Sequence, residues 1–297
     1  MGKRIFLFLI TNLLVVVTLT VVLGLLGLGR YRFIGGAYDL QGLAFFALIW
    51  GMGGAFISLQ MSRFIAKQAT GVQLIDANTR SADADWLYNT VAQLTQRAGL
   101  PMPEVGIYPS DEVNAFATGP SKSRSLVAVS AGLLRSMRRD EVEGVLAHEV
   151  SHIANGDMVT MTLLQGVINA FVIFFSRVIA YLIASRGGSR DDSRGNSYMF
   201  QYLITIVLQI VLGILGSIVT AWFSRQREFR ADRGGASLAG RERMIGALRR
   251  LQANQALVDP SHQALATLKI NGSRNWMMLF STHPSLEVRI AALERSA

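Results

Sequence analysis

The sequence predicts an integral membrane protein, mainly α-helical with a small β-sheet, carrying about four transmembrane helices. Three observations carry that expectation. Hydrophobic residues make up 51% of the 297 and charged residues 16%, with a mean hydropathy of +0.33; an ordinary soluble domain is about a quarter charged. Four apolar runs, 5–29, 40–59, 158–184 and 198–223, recur along the chain, and a membrane-crossing helix needs about 20 such residues. The intervening stretch 61–157 has ordinary polarity and short strand-like runs. The chain therefore divides into an N-terminal transmembrane hairpin (1–60), a polar part (61–157), a second hydrophobic hairpin (158–223) and a C-terminal polar part (224–297).

Lys3 and Arg4 precede the first run. A cleaved signal peptide has an apolar region of about 7–15 residues and a small-residue cleavage site. This run is longer and lacks that ending, so it reads as an uncleaved anchor. A short link, 30–39, leads to the second run, where Gly42, Gly51, Gly53 and Gly54 would permit close helix packing. Arg63 and Lys67 follow it; with Lys3 and Arg4 they place both ends of the hairpin in the cytoplasm. Arg225, Arg227, Arg230 and Arg233 repeat the bias after the fourth run. The net charge of +9 suits anionic lipid. No basic block with interleaved aromatics is present, which argues against a nucleic-acid partner. Cysteine is absent, so there is no disulfide framework and no thiolate metal ligand.

In 61–157, Ser81 is placed to cap a helix. Trp86 or Leu87, Val91, Leu94 and Ala98 keep helical spacing, and Gly99 and Pro101 end it. Strand-like runs follow at 104–108, 114–118 and 125–130, connected through Pro109, Gly119 and Pro120. An edge of this small sheet could pair with an extended peptide. Asn114, Ala115 and Phe116 are the substrate-binding candidates, with 126–129 as the other strand; an ordinary structural hairpin is the alternative for both.

The chain then reaches His148-Glu149-Val150-Ser151-His152. Val142, Val145, Leu146 and Ile153 recur at helical spacing. Asp140, Glu141 and Glu143 lie in the first turns, where acids suit the positive helix end. Side chains four apart share one helical face, so two imidazoles can reach one zinc ion at about 2.0–2.1 Å each. Glu149 follows the first His, where the base of a zinc hydrolase stands. A surface helix with two chance histidines is the bland alternative, and the half-buried context disfavours it. A catalytic zinc site needs a third protein ligand. The fourth run leads into Arg227-Glu228-Phe229-Arg230-Ala231-Asp232. Glu228 is the expected third ligand and Asp232 the acid that takes the other N–H of a ligand His; two solvated acids paired with neighbouring arginines are the alternative.

Only five residues separate His152 from Met158. At about 1.5 Å per residue, the zinc site should lie close to the start of the third run and face the membrane surface. Arg177 interrupts that run and is expected near an end of the span, where it can snorkel. The stretch 186–195 reads as a flexible loop. His262 shows no partner pattern and reads as a surface residue.

These residues resemble the HtpX family of membrane-bound zinc metalloproteases, related to the CAAX prenyl endopeptidases. The likeness rests on His148-Glu149-x-x-His152 with Ile153-Ala154-Asn155-Gly156-Asp157, on Arg227-Glu228-Phe229-x-Ala231-Asp232, on Asn114-Ala115-Phe116-Ala117-Thr118-Gly119, on Thr282-His283-Pro284, and on the order of the four apolar runs. Ser285 stands where the family often has a second proline, and Arg138-Arg139 where it often has Ser-Pro. The resemblance implies a gluzincin-like core, one Zn2+ per chain, and endoproteolysis of misfolded or damaged membrane proteins at the bacterial cytoplasmic membrane in stress quality control. Both polar parts would then be cytoplasmic and catalytic. Expected partners are membrane-protein or unfolded polypeptide substrates and the lipid bilayer; the sequence sets no oligomeric state. Glu149 would be the general base, His148, His152 and Glu228 the ligands. His283 would help the oxyanion, with a plain structural turn before Pro284 as its alternative. A different zinc hydrolase such as an aminopeptidase, or a zinc-binding membrane scaffold, are the rival functions. A structural zinc site has no use for Glu149.

Overall fold

The computed structural model describes residues 40–75, 81–186, 194–258 and 281–295. The first apolar run, the 30–39 link, residues 187–193 of the expected loop and His262 lie outside them. The described elements are α1 (Leu40–Thr70), β1 (Gln73–Ile75), α2 (Ala82–Arg97), β2 (Glu104–Tyr108), β3 (Ala115–Ser121), β4 (Arg124–Ser130), α3 (Ala131–Ser136), α4 (Arg139–Asn155), α5 (Asp157–Arg186), α6 (Arg194–Ala239), α7 (Arg241–Val258) and α8 (Leu286–Arg295). They fall into two compact units. One takes its described residues from within 1–58 and 162–220, the other from within 59–161 and 221–297.

The first unit is helical and apolar. Among the described residues three helices are long and apolar enough to cross a membrane, over Gly42–Thr70, Asp157–Ala184 and Met199–Ala239. Leu43, Ala44, Ala47, Phe174 and Val178 form the buried seam between α1 and α5. Gly51 sits against the backbone of Ala170, where a Cβ would come within 2.5 Å of the Ala170 nitrogen, and Gly166 sits as closely against Met52. Of the glycines expected to permit close packing, Gly51 does so, whereas Gly53 and Gly54 meet nothing within 4 Å. Arg177 does not end its helix, which runs on to Arg186. Its guanidinium donates to the Ile173 carbonyl at 3.1 Å and lies 5.4 Å from the centre of the Phe46 ring, a cation–π contact that lets the charge stay within the seam. Phe200, Leu203, Val207, Ile210 and Ile214 of α6 are exposed, as expected of a helix whose solvent is lipid.

The second unit is a four-stranded sheet packed with helices. Strand order is β1-β2-β4-β3; β1 and β2 are antiparallel, β2 and β4 parallel, β3 and β4 antiparallel. All of β4 except Arg124 is buried, which explains its continuous apolar run: a central strand covered on both faces has no solvent side to alternate with. β3 is an edge strand. Gly119 lies at its register shift with φ +144, and a Cβ there would sit 2.2 Å from the Arg124 carbonyl oxygen, so only glycine fits. The three-residue β1 escaped the sequence reading; so short a run has no periodicity to detect.

Helix α4 is the hub. Leu146, Ala147, Val150 and Ile153 are almost fully buried, in one core with Leu87, Val91 and Leu94 of α2 and Val127 and Val129 of β4. Glu141, three residues into the helix, accepts from the Arg138 backbone N–H at 2.8 Å, so Arg138 starts the helix without a serine. Gly144 touches the backbone of Arg243 on α7. Gly156, left-handed at φ 68, closes the helix by donating to His152 and Ile153 carbonyls, and α5 starts at the next residue.

Candidate metal centre and active-site cleft

The site is built from two helices, each contributing residues four apart. His148 and His152 lie one turn apart on α4 and point the same way. Glu228 and Asp232 do the same on α6, past the apolar part that ends at Phe223. His148 Nε2 and His152 Nε2 are 3.1 Å apart. Each lies 3.4 Å from an oxygen of Glu228, His148 facing Oε2 and His152 facing Oε1. Ligands held tetrahedrally at about 2.0–2.1 Å are separated by about 3.3 Å, close to the His–His distance and to the distance from each His to its own Glu228 oxygen. These three residues form a group that could hold a metal ion.

The buried carboxylate argues for a cation in the same place. Glu228 is 1% exposed, and neither of its oxygens accepts a hydrogen bond from any described residue. Cationic and imidazole groups surround it at 3.1–3.5 Å, and a buried carboxylate that gains ion pairs without hydrogen bonds is well placed to coordinate a cation. A donor set of two imidazoles and one carboxylate, with no sulfur, suits zinc and other first-row divalent ions.

A second layer of acids holds the rings. Asp232 Oδ1 lies 2.9 Å from His148 Nδ1 and Asp157 Oδ2 lies 2.7 Å from His152 Nδ1. Both acids are buried, each 2% exposed or less. A carboxylate on Nδ1 keeps a proton there and leaves the Nε2 lone pair for a metal. Burial opposes a charged imidazolium at both histidines. At His152 the Asp157 and Glu228 carboxylates outweigh that and push its pKa up to about 9; at His148 Asp232 and Glu228 act in the same upward direction.

Glu149 is half-buried beside them and lines a cleft of about 160 Å3. Val113, Asn114, Ala115, His148, Glu228, His283 and Arg289 share its wall, over a floor that includes Leu133, Val145 and Leu248. Thus Glu149, His148, His152, Glu228, Asp232, His283, Asn114 and Ala115 meet in one place. His283 Nδ1 stands 3.1 Å from Glu228 Oε2, with most of its side chain exposed. Phe116 is placed elsewhere. Alternation along β3 turns its side chain to the opposite face, where its ring packs on Tyr108 at 5.6 Å.

Two residues at the site escaped the sequence reading. Asp157 is one; it stands in the run that carries the family likeness, but no role was attached to it. Arg289 is the other. It is buried at 7% exposure, donates to Asp232 Oδ2 through Nε at 2.8 Å and to Oδ1 through Nη2 at 2.6 Å, and lies 3.3 Å from Glu228 Oε2 through Nη1. Burial pulls its pKa down, but the Asp232 contact outweighs this and holds it above the usual value. A signal existed: Leu286, Arg289, Ile290 and Leu293 share one helical face, and an arginine inside an apolar stripe needs a partner.

The family model described as peptidase family M48 matches residues 81–297. The "Protease HtpX homolog" of Bacillus licheniformis is 52% identical, covering 99% of each chain, and the "Protease HtpX" of Aeromonas hydrophila is 51% identical over 98% of this chain and 99% of its own. The chain belongs to peptidase family M48, among the HtpX proteases. It is a membrane metalloprotease, which disposes of the scaffold alternative. The crystal structure of S. mikatae Ste24p has the same fold at a TM-score of 0.63 and 18% identity, over 84% of this chain; the chain spans 58% of that one. The expected architecture, a helical membrane protein with a small sheet and a gluzincin-like core, is the one found, with three of the about four spans among the described residues.

Proposed function

We propose that this M48 peptidase is a zinc-dependent endopeptidase of the bacterial cytoplasmic membrane, cutting misfolded or damaged membrane proteins at their cytoplasmic segments in stress quality control. The observation that carries the reading is the triangle of His148 Nε2, His152 Nε2 and Glu228, with edges of 3.1, 3.4 and 3.4 Å, beside a free-standing Glu149 in an open cleft. His148, His152 and Glu228 would hold the ion. When bound, zinc supplies Lewis-acid chemistry to water and to the scissile carbonyl. Glu149 takes the proton of the attacking water on its carboxylate and delivers it to the nitrogen of the leaving amine. Asp232 and Asp157 keep the Nδ1 protons of the two ligand histidines. His283, on the rim, donates toward the developing oxyanion.

The edge strand β3 supports an endopeptidase over an aminopeptidase. Its Asn114–Ala115 end reaches the cleft, and an exposed strand edge binds an extended segment by its backbone, without needing a chain terminus. Lys3, Arg4, Arg63 and Lys67, with the arginines of 225–233, support a cytoplasmic catalytic part made of 61–157 and 224–297 and cytoplasmic termini. Single cysteines introduced into this cysteine-free chain, labelled from either side of a sealed vesicle, test that orientation.

The test of the central reading compares wild type with Glu149→Ala in detergent. Both proteins are expected to bind one zinc, and only the wild type to cleave an unfolded membrane protein and an N-terminally blocked peptide. Equal cleavage by the variant would remove Glu149 as the base. Cleavage restricted to unblocked peptides would make the enzyme an aminopeptidase.

A further inference from the structure

Arg289 stands one layer behind the ion-holding residues, and its contacts form a chain that ends on a ligand. Its Nε and Nη2 make a two-point fork on Asp232, at 2.8 and 2.6 Å. Asp232 Oδ1, one of the two oxygens in that fork, is also the oxygen 2.9 Å from His148 Nδ1. One carboxylate oxygen thus joins guanidinium and imidazole. A carboxylate held at one oxygen can still turn about its own bond; a planar fork on both oxygens sets its plane. Arginine keeps its charge at every relevant pH, so Asp232 stays ionised and accepts from His148. All three residues are at least 90% buried, where no water can substitute.

We propose that Arg289 is a positioning residue of the metal centre, fixing the Asp232 carboxylate so that His148 presents Nε2 toward His152 and Glu228. The proposal rests on the ligand assignment above and extends it to the C-terminal helix α8. It has two competitors with opposite signs. Arg289 lies 3.4 Å from a His148 nitrogen and 3.3 Å from Glu228 Oε2, close enough to repel a divalent cation. If only that charge mattered, removing it would tighten metal binding. If Arg289 only anchored α8, removing it would lower the melting temperature and leave metal affinity unchanged.

The experiment uses the full chain in detergent, as wild type, Arg289→Met, Arg289→Lys, Asp232→Asn and the Arg289→Met/Asp232→Asn double variant. Zinc dissociation constants are measured by chelator competition, and the ligand field is read from the visible absorption of the Co2+-loaded protein. Removing an outer partner of a ligand weakens metal binding about 10–100-fold. Arg289→Met should fall in that range with an altered cobalt spectrum, and Arg289→Lys, which keeps charge but loses the fork, should also bind more weakly than wild type. The double variant should bind no worse than Asp232→Asn alone, because both changes break one chain of contacts. Unchanged or tighter zinc binding in either Arg289 variant, or fully additive losses in the double, would overturn the proposal. If Arg289→Met does not fold, Arg289→Lys decides. His148→Ala is measured alongside: zinc binding undiminished in that variant would remove the ligand assignment and this proposal together, an outcome distinct from failure of the Arg289 variants alone.

Discussion

Asp157 Oδ2 lies 2.7 Å from Nδ1 of His152, and the two residues belong to different helices separated only by the turn at Gly156. The left-handed glycine breaks the helix and leaves the Asp157 carboxylate at the ring of His152. Asp157→Ala should therefore weaken zinc binding about 10–100-fold, as loss of an outer carboxylate does. Asp157→Asn, which keeps an acceptor oxygen without the charge, should lose less. Chelator competition on the detergent-solubilised chain measures both. Wild-type affinity in Asp157→Ala would mean that the contact only caps α5.

The raised histidine pKa makes the chelated protein and the zinc-loaded protein respond to pH in opposite ways. His152 ordinarily titrates near about 6.5 and is pushed up to about 9 by Asp157 and Glu228, against burial. A raised folded-state pKa gives stability that is fully present below the ordinary value and lost as pH rises through the folded one. With EDTA present, the melting temperature should thus fall between about pH 6.5 and 9. With zinc present it should rise over the same interval, since the metal must displace those protons. Parallel curves with and without metal would contradict the ion-pair arrangement.

Gly144 is where α4 touches α7 most closely. A Cβ there would come 2.5 Å from the Arg243 carbonyl oxygen and 3.0 Å from Ala247 Cβ. Alanine in a helix is favoured over glycine by about 1 kcal/mol, but overpacking against a backbone costs about 1–3 kcal/mol, and a carbonyl cannot change rotamer to escape. Gly144→Ala should lower the melting temperature. Gly246, on α7, has nothing within 4 Å of a Cβ, so Gly246→Ala should leave it unchanged or raise it. Thermal melts of both variants, side by side, separate packing from propensity.

His152 and Glu228 are separated along the chain by the second hydrophobic hairpin, 158–223. We expect the metal site to assemble only when that hairpin folds, tying activity to membrane insertion. A chain with 158–223 replaced by a short linker should retain little zinc and no proteolysis. Full zinc occupancy and activity in that protein would sink the idea.

Much of the membrane architecture and half of the site were readable because their information is local. A run of about 20 apolar residues is a span by length alone, and helix geometry puts His148 with His152 and Glu228 with Asp232 whatever the rest of the chain does. Gly99 ended its helix as expected, with positive φ. Local information failed where the decisive contact was not periodic. β1 is too short to show alternation, and neither the contacts of Arg177 with Phe46 and the Ile173 carbonyl nor the packing of the Phe116 ring on Tyr108 follows from spacing.

The sequence by itself determined that a metal could be held, since His148 with His152 and Glu228 with Asp232, three ligands and one supporting acid, share helical faces by covalent geometry and 3.6 residues per turn. Only the tertiary structure decided that the two pairs face each other across 3.4 Å, and which groups stand behind them. Arg289 reaches His148's carboxylate partner from 57 residues further along the chain, and His283 reaches Glu228 from 55 (283 − 228). No periodicity links residues so far apart: their meeting is set by the packing of α4, α6, α7 and α8, in buried surroundings where a charge without a partner is too unfavourable to remain.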